Sequence, residues 1–351
     1  MNQHLFYPNL YVTRYMGSKY RLLDFIVPHI EKNLPEDGTL IDVMAGTHAI
    51  GYALKNRNRV VANDVQFYST VFGRALLTNN NVLELASRFS RDFENYDESL
   101  VTDSWFVRTY ADTYFSVKQC IEIASIRRII DLYVEESAKP LYLTVLANAM
   151  SLCQSSSGHF AQYFPKDHPR LKTLRAMSVF VEFKKRCMDI SLEFAKHKNY
   201  VFQSNVMDFL SLGNLEKLAP AGSLVYFDPP YSTAQYSRYY HLLETVFLND
   251  EPNVKHKGIY REDRHQSDFC SPRLVTTAFN EAISGYAQKG WNLVLSYSDS
   301  GLVKANQLLE ICKTNYSKAE IHKRAFSHST QGRGLVSKVN EIVIVCSDSK
   351  K

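Results

Sequence analysis

The chain has 351 residues, of which 45% are hydrophobic and 22% charged, and this composition is typical of a soluble globular protein with a sizeable core. The net charge of +5 is mildly basic and permits a nucleic-acid partner without requiring one. The N-terminal segment has no apolar signal core and no apolar run approaches the length of a membrane span, so we expect a cytoplasmic protein that does not enter a bilayer.

Cysteine spacing argues against a zinc knuckle and against a redox dithiol. The six cysteines are widely separated and contain no C-x-x-C pair. We therefore expect free, mostly buried thiols, which suit a reducing compartment. They are Cys120, Cys153, Cys187, Cys270, Cys312 and Cys346.

The first 66 residues have the pattern of an α/β unit. Apolar spacing predicts a helix over residues 20–32, and Pro28 favours a kink or an early end to it. A short apolar strand at 40–44 is followed by a small turn and a helix at 49–55. A second strand follows at 59–62. This order is typical of the first half of a doubly wound sheet.

From about residue 66 to residue 197 the chain is rich in helix formers and aromatics and poor in strand signals. We predict a mostly helical block, interrupted by a polar loop at 154–159. The block is too long to be an ordinary sheet connection, so we interpret it as an insertion. The predicted division is a main α/β domain of residues 1–66 and 198–351, with a helical subdomain at 67–197.

Sheet patterning resumes in the last third of the chain, and its end predicts an antiparallel pair. A polar, basic segment at 253–272 is predicted to be an exposed loop. The predicted strands are 200–204, 223–227, 291–297, 319–326 and 339–346, and the predicted helices are 273–288 and 303–315.

The strongest functional signal is the string Asp228-Pro229-Pro230-Tyr231, directly after a predicted buried strand. Adjacent prolines stiffen the chain and remove two backbone donors, so the strand end presents free carbonyl groups and a carboxylate. Asp228 and the Pro229 carbonyl can each accept one hydrogen of a planar amine, and Tyr231 can stack on its ring. Doubly wound sheets bind ligands at such strand ends, which favours this interpretation over a simple turn.

Two further strand ends carry acids, and one strand is followed by a glycine turn. Residues 42–48, Asp-Val-Met-Ala-Gly-Thr-His, allow a ligand to approach the backbone near a helix N-terminus. Asp64 ends the next strand and could accept hydrogen bonds from ribose hydroxyls, with a solvated turn acid or helix cap as the alternative. Asp208 follows the third strand, and a helix cap is again the alternative.

One lysine near the N-terminus lies in a similar context. Residues 14–20, Arg-Tyr-Met-Gly-Ser-Lys-Tyr, place Lys19 at a helix start that Gly17 marks. Its ammonium could neutralise a small carboxylate, and an ordinary surface lysine is the alternative. Taken alone each motif is weak evidence, whereas their order along the chain is specific.

In that order the motifs resemble the alpha-ordered adenine-N6 DNA methyltransferases, the Dam-like deoxyadenosine methylase family. The family has a lysine-bearing N-terminal motif, a cofactor-binding glycine turn, an acidic strand end, a target-recognition insertion and D-P-P-Y. Here these are residues 15–19, 42–46, Asp64, the helical block and 228–231. The resemblance spans residues 13–297 and implies a doubly wound mixed sheet of the S-adenosylmethionine-dependent methyltransferase type, with the helical insertion as its target-recognition subdomain.

The resemblance also implies transfer of the methyl group of S-adenosyl-L-methionine to N6 of an adenine flipped out of double-stranded DNA, in a restriction–modification or host-DNA-marking system. It implies no covalent enzyme intermediate, and no cysteine lies in the site motif. His48 departs from the pattern, because a second glycine is usual there. The implied cofactor residues are Tyr15, Gly17, Lys19, Asp42, Ala45, Gly46, Asp64 and Asp208, and the implied residues for the target base are Asp228, Pro229, Pro230 and Tyr231.

Contacts to DNA are expected from the helical insertion and the polar loops. Arg238, Tyr239 and Tyr240 follow the D-P-P-Y motif and could lie along the opened strand. A separately acting restriction endonuclease is a candidate partner, and we expect a monomer because a duplex offers the enzyme one base at a time. The candidates for phosphate contacts, with a solvated charged loop as the alternative, are Lys255, Lys257, Arg261 and Arg264.

Three other functions remain open. The same grip on an amine would serve an RNA adenine or a cytosine-N4 methyltransferase, although the aspartate of D-P-P-Y and the motif order favour adenine and DNA. A DNA-binding protein with a decayed site is a second alternative, which His48 would support. A metal-dependent nuclease that uses Asp228 and Asp208 is a third, in which the prolines and Tyr231 have no role.

Overall fold

The computed structural model describes residues 17–78, 85–327 and 338–350, and in these ranges a seven-stranded mixed sheet forms the centre of the fold. The described strands are β1 (Thr39–Asp42), β2 (Arg59–Asp64), β3 (Tyr200–Gln203), β4 (Leu224–Phe227), β5 (Val254–Lys255), β6 (Tyr260–Arg261), β7 (Asn292–Ser298), β8 (Tyr316–Ser327) and β9 (Lys338–Ser349). Strands β5 and β6 pair as a separate hairpin, and the other seven form the sheet.

Strand order in this sheet is β3-β2-β1-β4-β7-β9-β8. The five strands from β3 to β7 are parallel. Strand β9 is antiparallel to β7 and to β8, as the sequence predicts for the end of the chain. Because the chain builds outward from β1 in one direction and from β4 in the other, the order reverses between these two strands. The arrangement confirms the predicted doubly wound mixed sheet.

Helices cover both faces of the sheet, and the predicted helical block is present between β2 and β3. Three 3-10 turns (Lys19–Leu22, Ser99–Val101 and Asp268–Cys270) and a π turn (Arg74–Thr78) complete the described helical segments. The described α-helices are α1 (Leu23–Asn33), α2 (Ala49–Leu54), α3 (Phe67–Gly73), α4 (Leu85–Asp92), α5 (Trp105–Tyr110), α6 (Val117–Tyr133), α7 (Lys139–Cys153), α8 (Leu171–Ala176), α9 (Val179–Asp189), α10 (Val206–Leu210), α11 (Leu215–Leu218), α12 (Tyr236–Tyr239), α13 (His241–Leu248), α14 (Val275–Gln288) and α15 (Ala305–Asn315).

Alternate residues of the central strands face two hydrophobic cores. Leu40 of β1 and Leu224 of β4 belong to a core that continues into helices α3 to α7 and α9, whereas Ile41 and Val225 face α10, α14 and α15. These side chains are fully buried, which explains why the central strands are continuously apolar. The helical block thus shares a core with one sheet face, and its division into a separate subdomain stays a prediction.

Two local predictions differ from the structure. Helix α1 does not end early but continues past Pro28 to Asn33, because Pro28 lies on the exposed face, where the carbonyl of exposed Asp24 can bond to water instead. A kink at Pro28 stays a prediction. The segment 253–272 is not simply an exposed loop, since it contains the β5–β6 hairpin and buried Phe269 and Cys270.

None of the helices in the described ranges is both long and apolar enough to cross a bilayer. The six cysteines are all buried and free, as predicted.

Candidate active site

A cavity lies at the carboxyl ends of β1 and β4, where the strand order reverses, and this is the usual ligand site of an open α/β sheet. Four separate segments meet there: the start of the described chain, the turn after β1, the end of β2 and the motif after β4. Most of the predicted cofactor and target-base residues therefore come together. Tyr15 lies outside the described residues. The predicted residues that line the cavity are Gly17, Lys19, Asp42, Ala45, Gly46, Asp64, Asp228, Pro229, Pro230 and Tyr231.

Asp208 lies in a neighbouring cavity and not in this one. Asp64 and His265 border both cavities, so the two spaces adjoin. Asp208 is exposed at the start of α10, and the Asn205 side chain caps that helix and donates a 2.6 Å hydrogen bond to the Asp208 carboxylate. The cavities together form one elongated groove that runs from β4 past β2 to α10.

The turn after β1 is fixed by the carboxylate of Asp64. The Gly46 backbone N–H donates to Asp64 Oδ2 at 2.8 Å and the Gln66 N–H donates to Oδ1 at 2.9 Å. Gly46 has a φ of +52°, a conformation that glycine adopts at low cost. Asp64 thus ties the end of β2 to the glycine turn, and burial raises its pKa despite these two hydrogen bonds.

His48 does not enter the cavity, although it stands where the family usually has a glycine. Its backbone is left-handed, with φ +58°, and its fully buried ring lies against α3. Nε2–H donates to the Ser69 carbonyl at 2.7 Å, and the Ser69 hydroxyl donates to the Gly46 carbonyl at 2.8 Å. Burial lowers the pKa of His48 to about 4, so the ring is neutral at pH 7 and adds neither bulk nor charge to the cavity.

Gly73→Ala should destabilise the fold through His48. A Cβ at Gly73 would lie 2.5 Å from His48 Cε1 and 2.9 Å from Val201 Cγ1, which is closer than packed atoms tolerate. We expect a loss of about 1–3 kcal/mol in the free energy of unfolding, measured by urea denaturation. Gly213→Ala is the matched control, because nothing lies within 4 Å of its Cβ position. Equal stability of the two variants would contradict this packing.

Asp42 lines the cavity and has a buried acceptor without a partner among the described residues. The residue is 2% exposed, and its Oδ1 has no hydrogen-bond partner among the described residues. Burial, with the charges of Asp228 and Asp64, raises the pKa of Asp42 well above its usual range. A buried orphan oxygen beside two other acids is suited to accept hydrogen bonds from a ligand that carries positive charge.

Asp228 is held in a compact cluster with Lys19 and Tyr231. Lys19 Nζ lies 2.9 Å from Asp228 Oδ1, and the Tyr231 hydroxyl lies 2.8 Å from the same oxygen. Both contacts use Oδ1, so within the described part of the chain Oδ2 is left for a ligand. Burial raises the pKa of Asp228 to about 6, against the opposing effect of Lys19. Lys19, 5% exposed, keeps its charge, because Asp228 and Glu341 outweigh burial and raise its pKa.

Several residues in or beside the cavity lie outside the predicted motifs. Glu341 on β9 is 1% exposed and contacts the Tyr231 hydroxyl at 2.8 Å. The one signal for it is that it is the single acid in the otherwise apolar run Glu341 to Cys346 of a strand that pairs on both sides, and this signal marks an unusual acid without showing what it contacts. His265 and Ser267 also line the cavity. The Gln235 and Ser237 side chains donate to their carbonyl groups, and the Ser267 N–H donates to the Gln235 side chain. The basic character of their segment pointed only to DNA phosphates.

The predicted DNA-binding residues fall into two groups. Arg261 is 3% exposed and forms ion pairs with Asp250 and Asp263, so its proposed phosphate contact is corrected to a structural role. Tyr240 is fully buried in the core and cannot lie along a strand of DNA. The others remain accessible, at half-buried or exposed positions, although Lys255 pairs with Glu262. They are Arg238, Tyr239, Lys255, Lys257 and Arg264.

The geometry also bears on the nuclease alternative. Asp228 and Asp208 line different cavities, and the ammonium of Lys19 lies 2.9 Å from Asp228, where a metal ion would need to sit. A cation already fixed at this oxygen opposes a second one by charge repulsion. The pair therefore does not have the arrangement of two ligands to one metal.

Known proteins with similar sequences include type II methyltransferases. M.FokI of Planomicrobium okeanokoites, a type II methyltransferase, is 27% identical over 86% of this chain and 47% of its own length. M.NlaIII of Neisseria lactamica, also a type II methyltransferase, is 26% identical over 85% of this chain and 86% of its own length. The chain thus spans about half the length of the first relative and most of the second. An rRNA methyltransferase from Streptomyces viridochromogenes, aviRa, covers 99% of this chain at 12% identity, with a TM-score of only 0.37.

The strongest match is to a family as a whole. The description of that family is D12 class N6 adenine-specific DNA methyltransferase, and it matches residues 15–298, which is more than half of the chain. The match includes the lysine motif, the glycine turn, Asp64, the helical block and D-P-P-Y in the predicted order. It confirms the resemblance drawn from the motifs, and the chain belongs to the D12 class N6 adenine-specific DNA methyltransferase family.

Proposed function

We propose that this protein transfers the methyl group of S-adenosyl-L-methionine to N6 of adenine in double-stranded DNA. The observation that carries the proposal is Asp228, a largely buried carboxylate after β4 with one oxygen fixed by Lys19 and Tyr231 and the other, among the described residues, left for a ligand. Family membership supports adenine and DNA as the substrate class. A fixed acceptor beside a deep cavity is what positioning of a weakly nucleophilic amine requires.

The cavity fits the cofactor on its own chemistry. S-adenosylmethionine supplies an electrophilic methyl group on a positively charged sulfur, and it also carries an ammonium group. Asp42 Oδ1 is a buried acceptor without a partner among the described residues, and such an atom suits an ammonium. Asp64 remains the candidate for the ribose hydroxyls. Asp208, in the adjoining part of the groove, remains the candidate for the cofactor's adenine side.

The target base is held by the D-P-P-Y segment. Asp228 Oδ2 accepts one N–H of the adenine amine, and the Pro229 carbonyl accepts the other. Holding both hydrogens directs the nitrogen lone pair into the cavity, and the negative Asp228 stabilises the positive charge that develops on the nitrogen. The amine of a paired adenine is hidden inside the duplex, so the base leaves the stack to reach Asp228.

Tyr231 holds its ring in a defined orientation for this grip. The ring lies edge-on to Tyr297, with 4.8 Å between centroids, and the hydroxyl is fixed at Asp228 and Glu341. Tyr231 therefore has less freedom than a side chain that simply stacks on a base. It fixes Asp228 Oδ1 and forms part of the cavity wall, and stacking on the target ring remains part of the proposal.

The relatives suggest the biological setting. M.FokI and M.NlaIII are named as type II methyltransferases. We propose that this protein, too, marks a specific DNA sequence as the modification arm of a restriction–modification system, with a separately acting endonuclease as its partner.

The test is transfer of labelled methyl from S-adenosylmethionine to unmethylated duplex DNA, followed by digestion to nucleosides. Label in N6-methyldeoxyadenosine is the expected result. Label in N4-methyldeoxycytidine would assign the other exocyclic amine, and label that appears only with RNA would assign an RNA substrate. If cofactor binding by calorimetry and labelling of every nucleic acid are both absent, the proposed function is wrong and the site is decayed.

Phosphate contacts are expected from the accessible basic residues near the hairpin. Arg238 and Arg264 both approach the ring of Tyr260, at 6.0 and 5.5 Å, and Lys257 is exposed in the hairpin turn. Replacing these three with alanine should weaken DNA binding and reduce the slope of log K against log salt by about 0.9 for each phosphate that the variant no longer neutralises. Fluorescence anisotropy at several salt concentrations measures both quantities.

Lys318→Ala is the control for this triple variant. Lys318 is an exposed lysine on the edge strand β8, paired with Asp348, and its replacement removes a positive charge without touching the hairpin. Its salt slope should equal that of the wild type. If the triple variant also keeps the wild-type slope, these three side chains are ordinary solvated charges.

A further inference from the structure

Glu341 is a buried acid in direct contact with the candidate catalytic cluster, and it lies beyond the residues that the family match covers. Its Oε1 accepts hydrogen bonds from the Tyr231 hydroxyl at 2.8 Å and from the Ser296 hydroxyl at 2.6 Å, and it lies 3.5 Å from Lys19 Nζ. The residue is 1% exposed. Burying a carboxylate is costly, so its place among these donors calls for an explanation.

We propose that Glu341 is a positioning residue that shares the Lys19 ammonium and the Tyr231 hydroxyl with Asp228, so that Asp228 keeps its place and its negative charge is not cancelled when Oδ2 binds the substrate amine. The proposal rests on the proposed function, because it assigns Asp228 to that amine. Glu341 itself does not touch the substrate. It acts by giving the two donors that now hold Asp228 a second acceptor.

The hydrogen bonds of the cluster support this sharing. A tyrosine hydroxyl has one hydrogen, yet Tyr231 lies 2.8 Å from both Asp228 Oδ1 and Glu341 Oε1, so it donates to only one of them at a time. Lys19 donates to the Tyr231 oxygen at 2.5 Å and also lies near both acids. The two acids therefore share these two donors.

Ser296 makes Glu341 a permanent member of the cluster. Its hydroxyl donates to Glu341 from β7, the neighbouring strand, and the register pairs Ser296 with Val343, two residues from Glu341. This hydrogen bond uses neither Lys19 nor Tyr231. Glu341 is thus held in place whichever acid the other two donors bind.

The net charge of the cluster supports the same role for Glu341. Lys19 carries one positive charge and the two carboxylates carry two negative charges, so the ionised cluster has a net charge of −1. That negative charge can stabilise the positive charge that develops on the amine. Without the charge of Glu341, Lys19 and Asp228 would neutralise each other. Asp228 would then have to leave its ion pair before it could serve the substrate.

Glu341→Gln tests the role, because it keeps the size of the side chain and removes its charge. We expect kcat to fall roughly tenfold or more, with KM for DNA and the affinity for S-adenosylmethionine changed by less than about threefold. Glu341→Asp restores the charge at a shorter reach and should recover part of kcat. Glu320→Gln, an exposed acid on β8, is the matched control and should leave kcat unchanged.

A second readout needs no turnover. The negative charge of Glu341 raises the pKa of Asp228, so Glu341→Gln should lower that pKa from about 6. Carboxyl carbon NMR of the protein without ligands measures it, and Glu320→Gln again serves as control. The other groups that face Asp228 are unchanged in the variant; they are Lys19, Asp42, Tyr226, Tyr231 and Tyr236.

The outcomes separate the proposals. A wild-type protein that labels no nucleic acid refutes the proposed function, and the proposal for Glu341 fails with it because Asp228 then has no amine to serve. If the wild type is active, unchanged kcat in Glu341→Gln overturns the role of Glu341, as does a fall in kcat without a change in the pKa of Asp228. Should Glu341→Gln not fold, Ser296→Ala decides, because it removes the fixed donor; an unchanged kcat there overturns the role.

Discussion

Asp228→Ala should reduce methyl transfer by at least about 100-fold and leave DNA binding largely intact. The loss is expected because the carboxylate both orients the amine and stabilises the charge that develops on it, and fixed groups of this kind contribute about 10²- to 10³-fold to kcat. Single-turnover labelling of duplex DNA measures the rate, and anisotropy measures DNA binding. In the proposed mechanism, contacts to the DNA phosphates supply most of the free energy of DNA binding, and Asp228 supplies little of it.

Asp228→Asn tests whether the negative charge of Asp228 is needed for methyl transfer. Asparagine keeps the shape and can still accept one hydrogen bond, but it has no charge, so a strong loss in this variant would identify the charge as the essential property. Glu320→Gln controls for the loss of one acid at the surface. Turnover within tenfold of the wild type in Asp228→Ala would contradict the assignment of Asp228 and with it the proposed grip on the amine.

The central strands of the sheet could be predicted from local signals because each of them is buried on both faces. Short apolar runs such as those at β1 and β4 predict buried strands when turn residues follow them. The antiparallel pair at the end of the chain was also evident from its two long β-rich runs. Helices α12 and α13 were missed, because they directly follow the D-P-P-Y turn and have too few residues for a clear helical period.

Site residues could be predicted where a local sequence motif contains them. They could not be predicted where only a contact with a distant part of the chain brings them to the site. Paired prolines, a glycine turn and acids at strand ends are local features, and the structure brings those residues together. Glu341 reaches the cluster from a strand 110 residues after Tyr231, so no local motif includes it. Arg261 was misassigned for the same reason, since the acids that neutralise it, Asp250 among them, were invisible in a count of basic residues.

Lys19 and the polar segment 253–272 each have a sequence feature that is compatible with two different roles. Lys19 looked like an anion-binding lysine, and in the structure it pairs with Asp228 and Glu341 inside the protein. The segment 253–272 looked like a basic DNA-binding loop, and part of it instead closes the cavity through His265 and Ser267. Burial decides between such uses, and burial of single charged residues is set by distant parts of the chain.

Lys19→Met should cost about 3–5 kcal/mol of stability at neutral pH, because removing one partner of a buried ion pair leaves the other charge uncompensated. Lys19 and Glu341 are almost fully buried and the side chain of Asp228 is 17% exposed, so water can screen the remaining acids only in part. Urea denaturation of variant and wild type measures the difference. Lys318→Met, at an exposed pair on β8, is the control and should show no measurable change.

The pH dependence of this loss follows from the pKa of Asp228. Lys19 now lowers that pKa, so without Lys19 it should rise above about 6, further from the ordinary value of 3.8. A carboxyl with a raised folded-state pKa binds its proton more tightly in the folded protein, and the folded state loses stability as pH rises through that pKa. The difference between Lys19→Met and wild type should therefore be larger at pH 8 than at pH 5. A difference that is constant across this range, or that grows on acidification, would show that Lys19 stabilises the site by packing and not by its charge.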